Sequence, residues 1–181
     1  MKLEVQVAGI QVKVKPATKD DLLVLERAFP FGPPEKHAER LERQNRNAVV
    51  YLIAWYAGQP VGHGLLNWSG AVEEPIASYV QGLCPDVEDL FVLETYRSKS
   101  VARQIIFNAE RLVRERGYPQ IGLSVDVKNI RARILYKRMG YRETYLGEHY
   151  ERGEYIGQNG QTQIWEETCI YLIKKLEAQN Q

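Results

Sequence analysis

The chain carries only two cysteines, Cys84 and Cys169, in 181 residues. That is too few, at too ordinary a spacing, for a disulfide framework or a zinc site, so both read as free thiols in a reducing compartment. No stretch approaches the roughly 18 consecutive apolar residues of a membrane-crossing helix. The opening, Met1 to Val14, alternates apolar and polar residues instead of building the continuous apolar core of a signal peptide. The expected location is cytoplasmic, with no membrane partner. Charge excess is missing too: 24 Lys+Arg face 23 Asp+Glu, a formal net charge of +1. This excludes the broad basic field that nucleic-acid binding uses. The three histidines, His37, His63 and His149, show no ligand spacing, so no metal is implied and each reads as an ordinary surface or strand residue. Repeats, low-complexity tracts and linkers are also lacking, which places residues 1–181 in one domain with a core of about 12–174.

What is present is a chain of alternating periodicities. Val12 to Val14 reads as a first strand, and Thr18 as the N-cap of a helix carrying Leu22, Leu25 and Ala28. Pro30-Phe31-Gly32-Pro33-Pro34 stops that helix, and Glu35 to Arg46 is polar enough for an exposed second helix. A hairpin follows, Val49 to Ala57 and Val61 to Trp68 around Gly58-Gln59-Pro60, and then an aperiodic stretch, Ser69 to Cys84, expected to contain a loop. Asp86 to Leu93 has apolar residues on both faces near its end, as a central strand would. Helical spacing of Val101, Ile105, Ile106, Ala109, Leu112 and Val113 marks a long helix over Ser100 to Arg116, stopped by Gly117. Ile121, Leu123, Val125 and Val127 alternate as a strand. Asn129 then caps a short helix with Ala132, Leu135 and Met139 facing inward before Gly140. Strand, helix, strand, helix implies a parallel pair with a crossover. After Tyr141 the reading is two antiparallel strands joined by a long excursion, the last strand being Thr168 to Ile173, with a polar tail from Lys174 to Gln181.

The most informative segment runs from Glu88 to Arg103. A strand enters a tight turn of small residues and passes directly into the N-terminus of a long amphipathic helix. Unpaired main-chain N–H groups, the positive end of the helix dipole and the side chains of Arg97, Lys99 and Arg103 converge there, as a pyrophosphate requires. On this pattern alone the alternative, a plain helix start with solvated basic residues, stands equally.

The segment resembles motif A of the GNAT acetyltransferases, Gln/Arg-x-x-Gly-x-Gly/Ala after a Leu-x-Val strand. Here it reads Leu90-Phe91-Val92 followed by Arg97-Ser98-Lys99-Ser100-Val101-Ala102, with Ser100 at the usual first glycine. Asn129-Ile-Arg-Ala132-Arg-Ile-Leu135-Tyr136-Lys-Arg-Met-Gly140-Tyr141 is similar to the family's motif B, Asn-x-x-Ala-x-x-Leu-Tyr-x-x-x-Gly-Phe/Tyr. The opening Val14-Lys15-Pro16-Ala17-Thr18, with Asp20-Asp21 downstream, resembles a common start of the family.

The resemblance implies an α/β (α+β) GNAT fold. Its sheet is mixed and largely antiparallel, of six to seven strands with a splayed parallel pair, flanked by about four helices. It implies acetyl-CoA as cosubstrate and direct attack of a substrate amine on the thioester. Leu90, Phe91 and Val92 would line the pantetheine arm, and the Val92 region would polarise the acetyl carbonyl. Arg97, Ser98, Lys99, Ser100, Val101, Ala102 and Arg103 would hold the pyrophosphate, and Asn129 the cofactor side. Tyr136 takes the place of the general acid, since a phenol stays protonated at neutral pH. Glu88, read as two residues before Leu90 on the same strand face, is the first candidate base and Asp86 the second; a water relay is the alternative to both.

Substrate contacts are expected from Phe29 to Arg46, Asn67 to Gln81 and Leu146 to Glu167. Glu73, Glu74, Glu148, Glu151, Glu154, Glu166 and Glu167, with Trp68, Tyr79, Tyr150, Tyr155 and Trp165, would suit a cationic amine, small molecule or peptide. A solvated acidic face is the bland alternative. By family analogy the final strand pair could join two copies in a homodimer. The reading from a different class is a non-catalytic acyl-CoA-binding module.

Overall fold

A computed structural model describes residues 9–177. The first eight residues of the alternating opening, and residues 178–181 of the expected tail, lie outside the described residues. One seven-stranded sheet organises the chain: β1 (Lys13–Pro16), β2 (Val49–Tyr56), β3 (Gln59–Asn67), β4 (Asp86–Val92), β5 (Gln120–Asp126), β6 (Arg142–Ile156) and β7 (Thr162–Lys175). Their order is β1-β2-β3-β4-β5-β7-β6. Every neighbouring pair is antiparallel except β4 and β5, because the segment joining those two crosses over as a helix instead of turning back. The helices are α1 (Leu22–Ala28), α2 (Lys36–Asn45), α3 (Ile76–Val80), α4 (Val101–Glu115) and α5 (Ile130–Arg138). This is the GNAT architecture, with α3 added inside the stretch expected to be loop.

Local chemistry accounts for most boundaries. Thr18 donates from its main-chain N and from Oγ1 to the Asp21 carboxylate, both at 2.8 Å, starting a short 3₁₀ turn that leads into α1. In α4 the side chains of Val101, Ile105, Ile106, Ala109 and Val113 are all buried, and burying the larger ones contributes about 1.5–3 kcal/mol apiece. Gly117 ends the helix at φ 79°. The β2–β3 turn is Ala57-Gly58, at φ 47° and 77°, one residue earlier than the expected Gly58-Gln59-Pro60. Two successive positive φ values make the two-residue hairpin turn that matches strand twist, and Pro60 cannot supply one.

The sheet is covered on both faces. On one face α4 and α5 pack over Leu52, Ala54, Leu66, Val87, Leu123, Ile170 and Leu172. On the other, α1 and α2 cover Val49, Tyr51, Ile53 and Leu65, while α3 packs by Cys84 and Tyr171. Helix α2 is less exposed than its composition suggests: Lys36, His37 and Leu41 are buried. His37 sits between the Tyr51 hydroxyl, 2.7 Å away, and the Phe29 carbonyl, 3.2 Å away, so it is no surface residue.

The largest departure from the sequence reading is at the end of the chain. The expected excursion Leu146 to Glu167 is itself the outer part of a long β6–β7 hairpin, with pairs from His149↔Cys169 to Ile156↔Thr162. Only the inner part of β7, Cys169 to Leu172, is buried. The outer part extends beyond the helices, so its alternation is between half-covered and open positions and carries no apolar period. The strand also claims Lys174 and Lys175 from the expected polar tail, and Leu176 beyond them is buried.

Candidate functional site

The parallel pair β4–β5 is in register only at Asp86↔Gly122, beside a Gly122 N–H to Pro85 carbonyl bond of 2.9 Å. Beyond Asp86 the two strands diverge. Opposite β3, the pairing steps from His63↔Phe91 to Leu65↔Glu88, so β4 holds one extra residue. Asp89, at φ 54°, occupies this bulge. The Arg40 guanidinium of α2 pairs with the Asp89 carboxylate and reaches the Tyr51 hydroxyl at 3.4 Å.

The bulge reverses strand parity. Leu90 and Val92 pack toward α4 with the first core, whereas Phe91 and Leu93 join the opposite cluster. Leu65, the partner of Glu88, belongs to that opposite cluster as well, so Glu88 and Leu90 lie on opposite faces. Their expected shared face is therefore overturned: two-residue parity holds only in a strand without an insertion. The Leu93 N–H donates to Val61 O at 3.0 Å, so alternation turns the main chain of Leu90 and Val92 toward the open β5 side.

A cleft of about 830 Å³ follows this open edge, lined by Leu90, Phe91 and Val92, the turn before α4, and α5. In the turn before α4, Ser98 and Ser100 line the cleft at φ values of 61° and 66°, a left-handed turn built without glycine. The first intrahelical bond of α4 runs from Gln104 N–H to Ser100 O at 3.2 Å, which leaves the N–H groups of Val101, Ala102 and Arg103 without helical acceptors. Of the three expected cations, Arg103 and Arg97 line the cleft, the latter also donating from Nε to the Val92 carbonyl at 3.1 Å. Lys99 instead lies 5.5 Å from the Tyr96 ring centroid, outside the lining. Two cations that the sequence reading missed take part: Arg131, which donates to Ser98 Oγ, and Arg138. Arg131 is the second residue of α5, a position that helix start Asn129 could have flagged.

Asn129 caps α5 through its Oδ1, which accepts from Ala132 N–H at 3.1 Å, and it borders the cleft. About two turns on, Tyr136 is 7 % exposed and lines the cleft with Leu135 and Met139. Burial pushes its hydroxyl up to a pKa of about 12. It remains a proton carrier throughout the neutral range.

The two carboxylates of β4 are in different environments. The Glu88 side chain is 37 % exposed, accepts from Asn67 Nδ2 at 2.6 Å and lies 3.9 Å from Arg43. Asp86 is 6 % exposed and accepts a hydrogen bond from the Tyr171 hydroxyl of β7. Burial raises its pKa from 3.8 to about 7, opposed by the Tyr171 bond and helped by Glu88, Glu73 and Glu151.

The expected substrate segments divide between the faces. Glu151, Glu167, Tyr155 and Trp165 alternate with Cys169 and so share the face of Tyr171 and Asp86. Tyr150, Glu154 and Glu166 point the other way, with Tyr150 donating to Glu166. Trp68 leaves the set altogether: it is buried in the core, stacked on Tyr118 and covered by Arg116 3.7 Å from its ring centroid. His149 sits between Ser124 Oγ, 3.2 Å, and Glu151, 2.8 Å. Among the described residues no group of three potential ligands could hold a metal, and no helix is long and apolar enough to cross a membrane.

Known proteins share this fold. The chain is 37% identical over 62 residues to GCN5-related N-acetyltransferase 4, chloroplastic, of Arabidopsis thaliana, a match covering 34% of this chain and 21% of that protein. Its fold is similar to that of a ribosomal-protein-alanine N-acetyltransferase from Brucella melitensis, with TM-score 0.64, 19% identity, and 91% and 99% of the two chains covered. It is similar also to the paia N-acetyltransferase from Thermoplasma acidophilum in complex with coenzyme A, with TM-score 0.63, 13% identity, and 92% and 100% covered. These two likenesses concern the fold. The pattern of the acetyltransferase (GNAT) family matches residues 20–141, from the first helix through both motifs to Tyr141. The chain belongs to the acetyltransferase (GNAT) family.

Proposed function

We propose that the protein is an acetyl-CoA-dependent N-acetyltransferase that moves an acetyl group to a primary amine by direct attack, with Tyr136 as general acid and Asp86 as general base. One observation carries the reading. A single open strand edge runs from the N-terminus of α4 to Tyr136 on the helical face, while Asp86 stands on the opposite face of the same strand.

The fit to the cosubstrate rests on the donors present. The N–H groups at the start of α4 face a site with Arg97, Arg103, Arg131 and Arg138, a set suited to phosphates. Leu90 and Val92 offer main-chain groups to the amides of an extended pantetheine arm, with Arg97 already engaging the Val92 carbonyl. Acetyl-CoA supplies a thioester carbonyl for the amine to attack and a thiolate to depart. Asp86 takes the proton of the incoming ammonium; a carboxylate with a pKa near 7 is matched to that task at neutral pH. Tyr136 gives its proton to the sulfur and regains one from solvent, to which the attacking nitrogen releases its second proton on becoming an amide. This order of bases reverses the sequence reading, because Glu88 is half exposed and already held by Asn67.

Glu151, Glu167 and Asp126 raise the local negative potential on the amine face, which favours a substrate carrying positive charge, small molecule or peptide. On the sheet's outer edge β6 presents unpaired main chain on which a second copy could dock to form a homodimer, tested by the mass from light scattering. Release of CoA thiol from acetyl-CoA against a panel of primary amines tests the main reading. Release with at least one amine is expected. Acetyl-CoA binding by calorimetry with no release for any amine would leave a non-catalytic acyl-CoA-binding module instead.

A further inference from the structure

Three neighbouring strands meet at a gap in the sheet surface. Gly122 of β5 stands between Asp86 of β4 and the β7 strand, and a Cβ there would overlap the Tyr171 hydroxyl and come within 2.8 Å of Asp86 Oδ1. Tyr171 pairs in register with Ser124, not with Gly122, so its ring leans diagonally along the sheet to enter the space that glycine leaves. Its side chain is completely buried, and its hydroxyl donates to Asp86 with Cys84 Sγ 3.7 Å away.

We infer that Tyr171 is a positioning residue for the general base: it reaches across Gly122 to fix the Asp86 carboxylate and to favour its ionised form. The inference rests on Asp86 serving as the base. Unanchored, a buried Asp side chain keeps several rotamers and protonates more readily; one donor to the charged form opposes both. Opposite it in β3 stands the Asn67 amide, already donating to Glu88, and every charged group that acts on Asp86 is negative. Glu88 lies on its own strand, Glu73 precedes α3 and Glu151 comes from β6, while α3 brings Ile76 and Val80 and the chain before β4 brings the Cys84 thiol. Tyr171 is the group acting in the opposite direction.

The test uses protein carrying 13C-labelled aspartate carboxyls, which reports the Asp86 titration without any substrate, and the pH profile of kcat/KM for the best amine of the panel. In Tyr171→Phe, near-isosteric and checked for folding by thermal melting, the Asp86 midpoint and the acid limb both move up by about one pH unit. KM for acetyl-CoA stays the same. Glu88→Gln moves the midpoint down, since it removes a repelling charge. An unchanged midpoint and limb in Tyr171→Phe, with Asp86→Asn inactive, overturns the positioning role alone. Full release by Asp86→Asn overturns the base assignment itself, and with it the inference.

Discussion

Asp89 holds a left-handed backbone conformation while its carboxylate is paired with the Arg40 guanidinium of α2. The pair pins the bulge that puts Leu90 and Val92 toward the cleft and Glu88 on the other face. Arg40 is the more buried partner, with 12 % of its side chain exposed. Arg40→Ala frees the bulge, and a small misplacement of reacting groups is costly. Turnover is expected to fall about ten- to a hundredfold, with acetyl-CoA affinity by calorimetry within about twofold. A variant with full turnover would show that the bulge holds without α2.

Ser100 tests the phosphate turn. A non-glycine residue in the left-handed region costs about 1–2 kcal/mol, of which glycine's extra chain entropy takes back about 0.5–1 kcal/mol. Ser100→Gly should therefore raise the melting temperature by a few degrees while CoA affinity holds or improves. Ser100→Val, β-branched at φ 66°, should lose at least about tenfold in CoA affinity. Equal affinity in both variants would detach this turn from the binding site.

Tyr136→Phe keeps the ring that lines the cleft and removes only the hydroxyl. CoA release should drop by about ten- to a thousandfold with acetyl-CoA affinity nearly intact. If release is unchanged, the proton reaches the sulfur from elsewhere.

Stability should depend on pH through groups of opposite sense. Burial holds His37 down to about 4 and His63 well below 6.5, so between those values and 6.5 the unfolded chain binds protons that the folded chain does not. Stability rises with pH through that window. Asp86 acts the other way: its folded pKa is raised from 3.8 to about 7, the folded chain binds the extra proton, and stability falls as pH climbs between those values. Glu167, raised above 4.5 by burial, acts in the same sense as Asp86, so the profile is a balance of two histidines against two carboxylates. Asp86→Asn removes one of the opposing groups and should make the denaturant midpoint rise more steeply with pH from about pH 4 to 6.5. A shallower slope in the variant would contradict the raised Asp86 pKa.

Much of the site was legible because it is local. The turn from Arg97 to Ala102, the cap at Asn129 and the spacing to Tyr136 each depend on residues within a few positions of one another, and the structure brings all of them to one cleft. The same holds for α4, whose apolar stripe at helical spacing became its buried face. Nothing in the neighbourhood of Lys99 tells that it lies beside Tyr96 and outside the cleft lining. That Asp86 is buried while Glu88 is partly exposed is illegible for a similar reason.

The sequence by itself determined the succession of strands and helices, the crossover that makes β4 and β5 parallel, and the family to which the chain is similar. Those follow from periodicity and caps, whose physics is short-range. The tertiary structure alone decided which face each β4 side chain takes, which arginines reach the cleft, and which carboxylate is buried. A one-residue bulge inverts parity, and desolvation depends on what distant strands place nearby. Tyr171, 85 positions from Asp86, is that kind of neighbour.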